Sequence, residues 1–456
     1  MRSLLVNQGS ATFLAMASLA VLMLAGGGGD AAPALAGLVQ AIVAVLAIAR
    51  LLAPSRYHVS PPRTAYVVAG LAIALPVLQL VPLPPSIWHA LPGRELTLAT
   101  LQLVGAGDSW RPVSLYPFET LAVLTTLAPA AIMLLMATSI GASGRLLLLI
   151  LIVFVALLAL AVGAMQVSGA EGNPFRFYSS SSNLLNGFQS NRSGQADIFL
   201  IAIVCVGGIT RELYPKAAIS GRRWRFLLLN GTAGLLFALA VVLTRSRFGM
   251  VMVPFALLFQ LAFLRPALGM SQRAFAGLVA LLLAAGGAAL ALLATIPKVA
   301  ESLGRFLTKT ELRPEIWKDT LYLIDKYSPW GTGMGTFEPV FQLDERLDWL
   351  TFRIVNRAHC DFLELYLEGG VPAAIILSVI VAIVIVAAVK ALRKSSAPGR
   401  WQVWCAVWGL FLIGAHSVFD YPLRSMSLEA IFAVLVAIIL GGARRTVSRS
   451  EMEVHV

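Results

Sequence analysis

Twelve apolar runs follow one another along this chain, near residues 11-27, 34-53, 65-83, 118-139, 145-166, 195-210, 226-243, 248-264, 275-296, 371-390, 402-418 and 427-443. About 20 apolar residues, rising 1.5 Å each, cover the roughly 30 Å of hydrocarbon in a bilayer. A segment in hydrocarbon must satisfy its own backbone hydrogen bonds, which leaves helices or a closed barrel. Runs this long and continuous exclude the alternating strands of a barrel. The expected fold is therefore all-α, a polytopic membrane helical bundle of about 12 transmembrane helices with a mostly helical outer loop. Arg2 ahead of the first run resembles the start of a secretory leader, but no cleavage site stands out between Gly26 and Ala36, so the run counts as a span. Composition agrees: of 456 residues, 58% are hydrophobic and 13% charged, which excludes a cytosolic enzyme.

A net charge of +12 would suggest a nucleic-acid partner in a soluble protein. Here its distribution reports topology, because Lys and Arg resist translocation. With the amino terminus inside, the inner segments carry 19 of the 35 bases and the short outer segments carry 7. The other nine lie in one 74-residue segment, 297-370, too long for that rule to count. Both termini are expected in the cytoplasm, with anionic lipid headgroups, not nucleic acid, as the partner of the inner positive charge. The chain then divides into membrane helices one to nine (1-296), a long outer loop (297-370), helices ten to twelve (371-443) and a cytoplasmic tail (444-456). Cys205, Cys360 and Cys405 supply neither a disulfide framework nor a CxxC pair, so no metal or redox cofactor is signalled.

The outer loop holds 12 of the 23 acids, and structureless loops beyond about 15 residues are uncommon. Arg313-Pro314-Glu315 opens a helical pattern with Trp317, Leu321 and Ile324 on one stripe. Ser328 to Phe337 is a turn punctuated by Gly331, Gly333 and Gly335, a weak phosphate-loop pattern because it follows a surface helix and not a strand. A second helix is expected from Arg357 to Glu368, entering the membrane after Gly369, Gly370 and Pro372.

His359 is the most informative residue. Asn356 can cap the helix that follows, placing His359 in a first turn whose amides are unpaired and whose dipole is positive. Such a histidine is neutral near pH 7 and can accept a proton; a capping or surface histidine is the alternative reading. Arg245 and Arg247 occupy the short join between runs seven and eight, and Arg192 the outer mouth of run six. They read either as arginines lifted to the interface or as an anion site, since the guanidinium fork binds phosphate bidentately. His416, Asp420 and Arg424 recur every four residues beyond run eleven, as a polar cluster facing the site or as a self-satisfied helix end. Asp361, Glu364 and Glu368 read as a solvated flank of the His359 helix.

These residues resemble a family. Ala358-His359-Cys360-Asp361 through Gly370 is similar to the histidine signature of the O-antigen ligase and polymerase superfamily, with Gly370 in register, although Cys360 replaces an amide or hydroxyl residue and Ala373 departs from the last position. Thr244 to Gly249 resembles the family's Ser-Arg turn, with Arg247 at the matching arginine. Asn191-Arg192, Arg313 to Phe337, Pro82 to Pro92 and Trp110 to Thr120 also resemble its segments, in order along most of the chain.

The resemblance implies an inner-membrane, metal-independent, inverting glycosyltransferase, acting on the periplasmic face without a cofactor. Its donor would be an undecaprenyl-pyrophosphate-linked glycan, and its acceptor the lipid A core for a ligase or a growing glycan for an O-antigen or exopolysaccharide polymerase. The ligase pattern fits better. On this reading His359 is the base, Arg247 neutralises the leaving pyrophosphate, and Arg192, Arg245, Arg313, Arg357, His416 and Arg424 bind pyrophosphate or glycan. A twelve-span glycan transporter or flippase is the rival class, but the 74-residue outer loop is one that a flippase does not need.

Overall fold

A computed structural model describes residues 9–53, 60–168, 173–178, 184–219, 221, 223–266, 268–293, 295, 312–346, 354–393 and 399–443. Among the described residues, each of the twelve apolar runs contains a helix. The first three form α1 (Ser10–Ala25), α2 (Pro33–Leu52) and α3 (Arg63–Gln79). Two short helices follow, α4 (Pro85–Trp88) and α5 (Glu95–Leu103). Next come α6 (Pro117–Thr138), α7 (Ala142–Ser168), α8 (Arg192–Ile219), α9 (Arg223–Thr244), α10 (Arg247–Leu264) and α11 (Gln272–Leu293). The long loop contributes α12 (Arg313–Tyr327) and α13 (Phe337–Asp344). The chain closes with α14 (Asp361–Arg393), α15 (Arg400–His416) and α16 (Met426–Gly442). Among the described residues the one β contact is an isolated bridge between Leu83 and Arg111. Parts of the expected outer loop, 297–311 and 347–353, and the tail lie outside the described residues.

Among the described residues six helices, α2, α6, α7, α9, α10 and α14, are long and apolar enough to cross a membrane. The helices α1, α3 and α16 are apolar but shorter, and α8 carries Arg192, Asp197, Arg211, Glu212 and Lys216. The chain is a multi-pass helical membrane protein; the finer count of about twelve spans stays an expectation. Helix α14 shows why lipid is required. Only 11% of its most apolar window is buried inside the protein, and Ile375, Val379, Ile385 and Val389 stand exposed. An apolar ridge of that kind is at home in hydrocarbon, not in water. By contrast α16 is buried at every residue except Phe432 and Gly442, enclosed by α1, α6, α14 and α15. Helix α8 is the second hub, packed on α7, α9, α10 and α15.

A separate small core caps one end of this bundle. It joins Ile316, Leu323 and Tyr327 of α12, Phe337, Val340 and Phe341 of α13, and Leu367 of α14. The buried stripe of α12 is therefore Ile316, Thr320, Leu323 and Tyr327, not the expected Trp317, Leu321 and Ile324, and Leu321 is exposed. The α13 phenylalanines select that face, helped by Asp319, which accepts from Arg346 Nε at 2.6 Å.

The glycine turn also differs from its phosphate-loop reading. Gly333 N–H donates to Glu368 O, Leu115 N–H to Thr332 O and Met334 N–H to Gln79 Oε1. A Cβ on Gly331 would stand 2.6 Å from Glu368 O. The turn is a wedge that backs the start of α14. On the other side of this contact Gly370 breaks α14 at φ 58, ψ −152, a conformation open essentially to glycine alone. Its added Cβ would meet Pro329 O at 2.1 Å. Gly370→Ala should cost at least about 1–3 kcal/mol and lower the thermal unfolding midpoint in detergent. Gly70→Ala in α3, where a Cβ meets nothing within 4 Å, should leave that midpoint unchanged or raise it slightly.

Candidate active site

The cap and the bundle enclose two adjoining cavities of about 460 and 360 Å³. Arg192, Arg313, His359, His416 and Asp420 line both. Arg357 and Arg424 line the first, and Arg245 and Arg247 the second. All eight residues singled out from sequence thus come to one place, from α8, the α9–α10 turn, α12, the approach to α14, α15 and the turn after it.

Local chemistry builds the arginine turn. Thr244 Oγ1 donates to Val241 O at 2.6 Å and accepts from Ser246 N–H at 3.2 Å. Ser246 then caps α10 by accepting from Gly249 N–H at 3.2 Å. Between them Arg245 adopts a left-handed φ of 55. Gly249 is required by packing, because a Cβ there would stand 2.8 Å from Ala196 Cβ of α8. The close approach sets Arg247, at the start of α10, beside Arg192, at the start of α8.

His359 is not in a helix first turn. Helix α14 begins at Asp361, and residues 354–358 precede it without regular secondary structure. The reason is that the amides which would have started an earlier turn are taken. Ala358 N–H donates to Glu364 Oε2 at 3.0 Å, and Asp361 N–H to Ser417 O at 2.8 Å. His359 itself is left-handed at φ 51, with its side chain 32% exposed to the cavity. Asp420, not helix-end amides, is its partner. Nδ1 lies 3.4 Å from Asp420 Oδ1, and the ring leans on Tyr421 at 5.2 Å between centroids. With Nδ1–H donated to the carboxylate, Nε2 carries the lone pair. Burial works against the charge on Asp420, but the hydrogen bond with His359 and the charges of His416, His359 and Arg313 hold its carboxyl below the usual carboxylate range.

The acidic flank of α14 is the clearest departure from the sequence reading. Glu364 and Glu368 are fully buried, not solvated, because the first two turns of α14 lie under the cap. Arg357 meets Glu364 at 2.9 Å, and Arg424 reaches Glu364 and Glu368 at 3.0 Å each. Burial alone would weaken the charge of Arg424, yet Glu364, Glu368 and Asp361 outweigh it and raise the guanidinium above its ordinary value. Arg357 and Arg424 therefore line the cavity with their guanidiniums engaged by carboxylates.

Asp197 of α8 was not singled out from sequence. Its Oδ2 lies 2.6 Å from His416 Nδ1, and His416 Nε2 lies 3.7 Å from Asp420 Oδ2. A signal was present, since Asp197 is one of three acids within the twelve apolar runs and an ionisable group at such a place needs a partner.

Residues 232–378 match the family described as O-Antigen ligase. That stretch is similar to an O-antigen ligase domain. It contains the arginine turn, Arg313, Arg357 and His359, and ends beyond the Gly370 break. Arg192, Asp197, His416, Asp420 and Arg424 lie outside the match and reach the ligase domain through the fold. No curated protein matches the chain. The match supports a membrane glycosyltransferase of the O-antigen ligase and polymerase superfamily.

Three outcomes are expected from these charged groups. Arg424→Gln takes from Glu368 its guanidinium partner and leaves Glu364 with Arg357, and should cost about 3–5 kcal/mol, seen as loss of the monodisperse peak in detergent. Arg245→Gln, at an exposed position, should stay within about 0.5 kcal/mol of the parent. Because folding lowers the Asp420 value, its stabilisation is present above the ordinary carboxylate range and lost as pH falls through the folded value. Acid unfolding of Asp420→Asn should accordingly depend less on pH below about 4 than that of the parent.

Proposed function

We propose that this protein is an O-antigen ligase, transferring glycan from an undecaprenyl-pyrophosphate carrier to a hydroxyl of the lipid A core. The reaction takes place on the periplasmic side of the bacterial inner membrane, with both termini cytoplasmic, as the bias of Lys and Arg suggests. The observation that carries this reading is the shared cavity wall. One cavity is bordered by Arg192, Arg245, Arg247 and Arg313, and His359 stands at its edge with Asp420 behind it.

Each residue then has a task. His359 Nε2 takes the proton of the acceptor hydroxyl while that oxygen bonds to the anomeric carbon. The bond from that carbon to the phosphate oxygen breaks on the opposite face, and its electron pair leaves with the lipid pyrophosphate. Attack opposite the leaving group inverts the anomeric centre. Arg247 and Arg192 neutralise the charge gathering on the pyrophosphate, a task for which nucleotide-sugar enzymes commonly use a divalent ion; Arg245 and Arg313 hold the same anion from the turn and the cap. Asp420 keeps the His359 tautomer that leaves Nε2 basic and stabilises the imidazolium that forms.

The test is reconstitution of the purified protein with a lipid-linked oligosaccharide in EDTA, with and without lipid A core. A product that needs the core supports the ligase. A ladder formed without core would replace it with a polymerase, and no product in either arm would sink the transferase reading. His359→Ala and Arg247→Ala should each abolish transfer, by at least about a hundredfold, with expression retained. Near-parental turnover of His359→Ala would remove the base assignment.

A further inference from the structure

Behind the base lies a second ionic pair that the reaction above does not use. His416 and Asp197 are each 1% exposed, at the junction of α15 with α8. The imidazole meets carboxylate on both sides, Asp197 Oδ2 at 2.6 Å from Nδ1 and Asp420 Oδ2 at 3.7 Å from Nε2. Asp197 Oδ1 has no partner among the described residues, so its charge depends on this ring. Phe248, the residue after Arg247, stacks face to face on His416, with centroids 4.2 Å apart and planes within 1°.

The geometry points to His416 as a positioning residue: a buried imidazolium, held by Asp197, that fixes and partly neutralises Asp420 and so sets the proton affinity of His359. This rests on the transferase reading above. Two carboxylates on one uncharged ring would leave two buried negative charges with no counter-charge between them, a costly arrangement. A proton on each ring nitrogen removes that cost. The row Asp197, His416, Asp420, His359 then carries one net negative charge at rest and none once His359 has taken the acceptor proton. Phe248 adds a second link, since its face favours a cation beneath it and its neighbour Arg247 lines the anion site. His416 thereby joins the group that takes the proton to the group that holds the leaving anion.

Other charges face these rings and remain untouched in the test. Arg192 and Arg313 line the wall beside His359, with Arg245 and Arg247 on the turn opposite. Asp361 accepts from Ser417 Oγ at 2.8 Å, and Tyr421 packs on His359. Arg357 and Arg424 are engaged by Glu364 and Glu368.

The deciding experiment compares the parent with His416→Gln/Asp197→Asn, which replaces the ion pair by a neutral hydrogen-bonded one and strands no carboxylate. Without the imidazolium, the full charge of Asp420 favours the protonated form of His359. The acid limb of kcat/KM should then move to higher pH by about one unit or more, while the rate on the plateau falls less than tenfold. Asp420→Asn should move the limb to lower pH and cut the plateau by about a hundredfold or more. Histidine NMR of the detergent-solubilised chain, with His359 assigned by difference from His359→Ala, should show the same two opposite displacements. That readout needs no turnover, so it stands even if the parent makes no product and the transferase reading fails. A limb and an NMR titration that superimpose on the parent in the double variant, with only stability reduced, would make the pair a structural brace and overturn the inference.

Discussion

Glu364 and Glu368 stand one helical turn apart, side by side and fully buried, and much of the capped end of the bundle is arranged around neutralising them. Arg424 answers both from the turn between α15 and α16, and Arg357 answers the first from the segment leading into α14. Glu368 also accepts from Phe337 N–H, and its carbonyl receives Gly333 N–H and Gln79 Nε2. A buried carboxylate without a partner is too costly to keep. The requirement therefore draws α3, the glycine turn, α13 and the end of α15 onto one helix start. His359 is placed by this cluster without touching it, because Arg357 and Ala358 are pinned immediately before it.

That arrangement explains which parts of the fold could be read from the chain. The apolar runs announced their helices because hydrocarbon admits almost nothing else. Where they end is a composition problem, and α8 with its five charged residues shows why run length alone leaves the number of crossings open. The cap was harder. Trp317, Leu321 and Ile324 made a consistent apolar stripe, yet burial followed the shape of Phe337 and Phe341, which lie in a different helix. The acids at 361, 364 and 368 looked like a wet face because their spacing is that of one. What reversed them is a tertiary fact, the cap lying over the helix.

The candidate site was more legible than its internal wiring. Arginine pairs are conspicuous in an apolar chain, and all eight residues chosen from sequence converge. Partnerships were another matter. Asp420 is separated from His359 by 61 residues and Asp197 from His416 by 219, so no local pattern could show that the two histidines share a carboxylate. His359 misses the helix end for a related reason. Its supposed cap depended on which neighbours claimed the nearby amides, and those neighbours are Glu364 and Ser417.

The contact between Gly249 and Ala196 bears on how tightly the site can grip a leaving group. It fixes the backbone of α10 against that of α8 within one turn of Arg247 and Arg192, so the distance between the two guanidinium stems is set by helix packing and not by a flexible loop. On the proposed function, the two arginines form an anion claw whose helix stems are in place before any substrate arrives. It has little reorganisation left to do when charge develops, which is where fixed dipoles gain most over solvent. The same stiffness makes the claw selective for span: a diphosphate can bridge two anchored forks, whereas a single phosphate can engage one fork fully only by leaving the other to water.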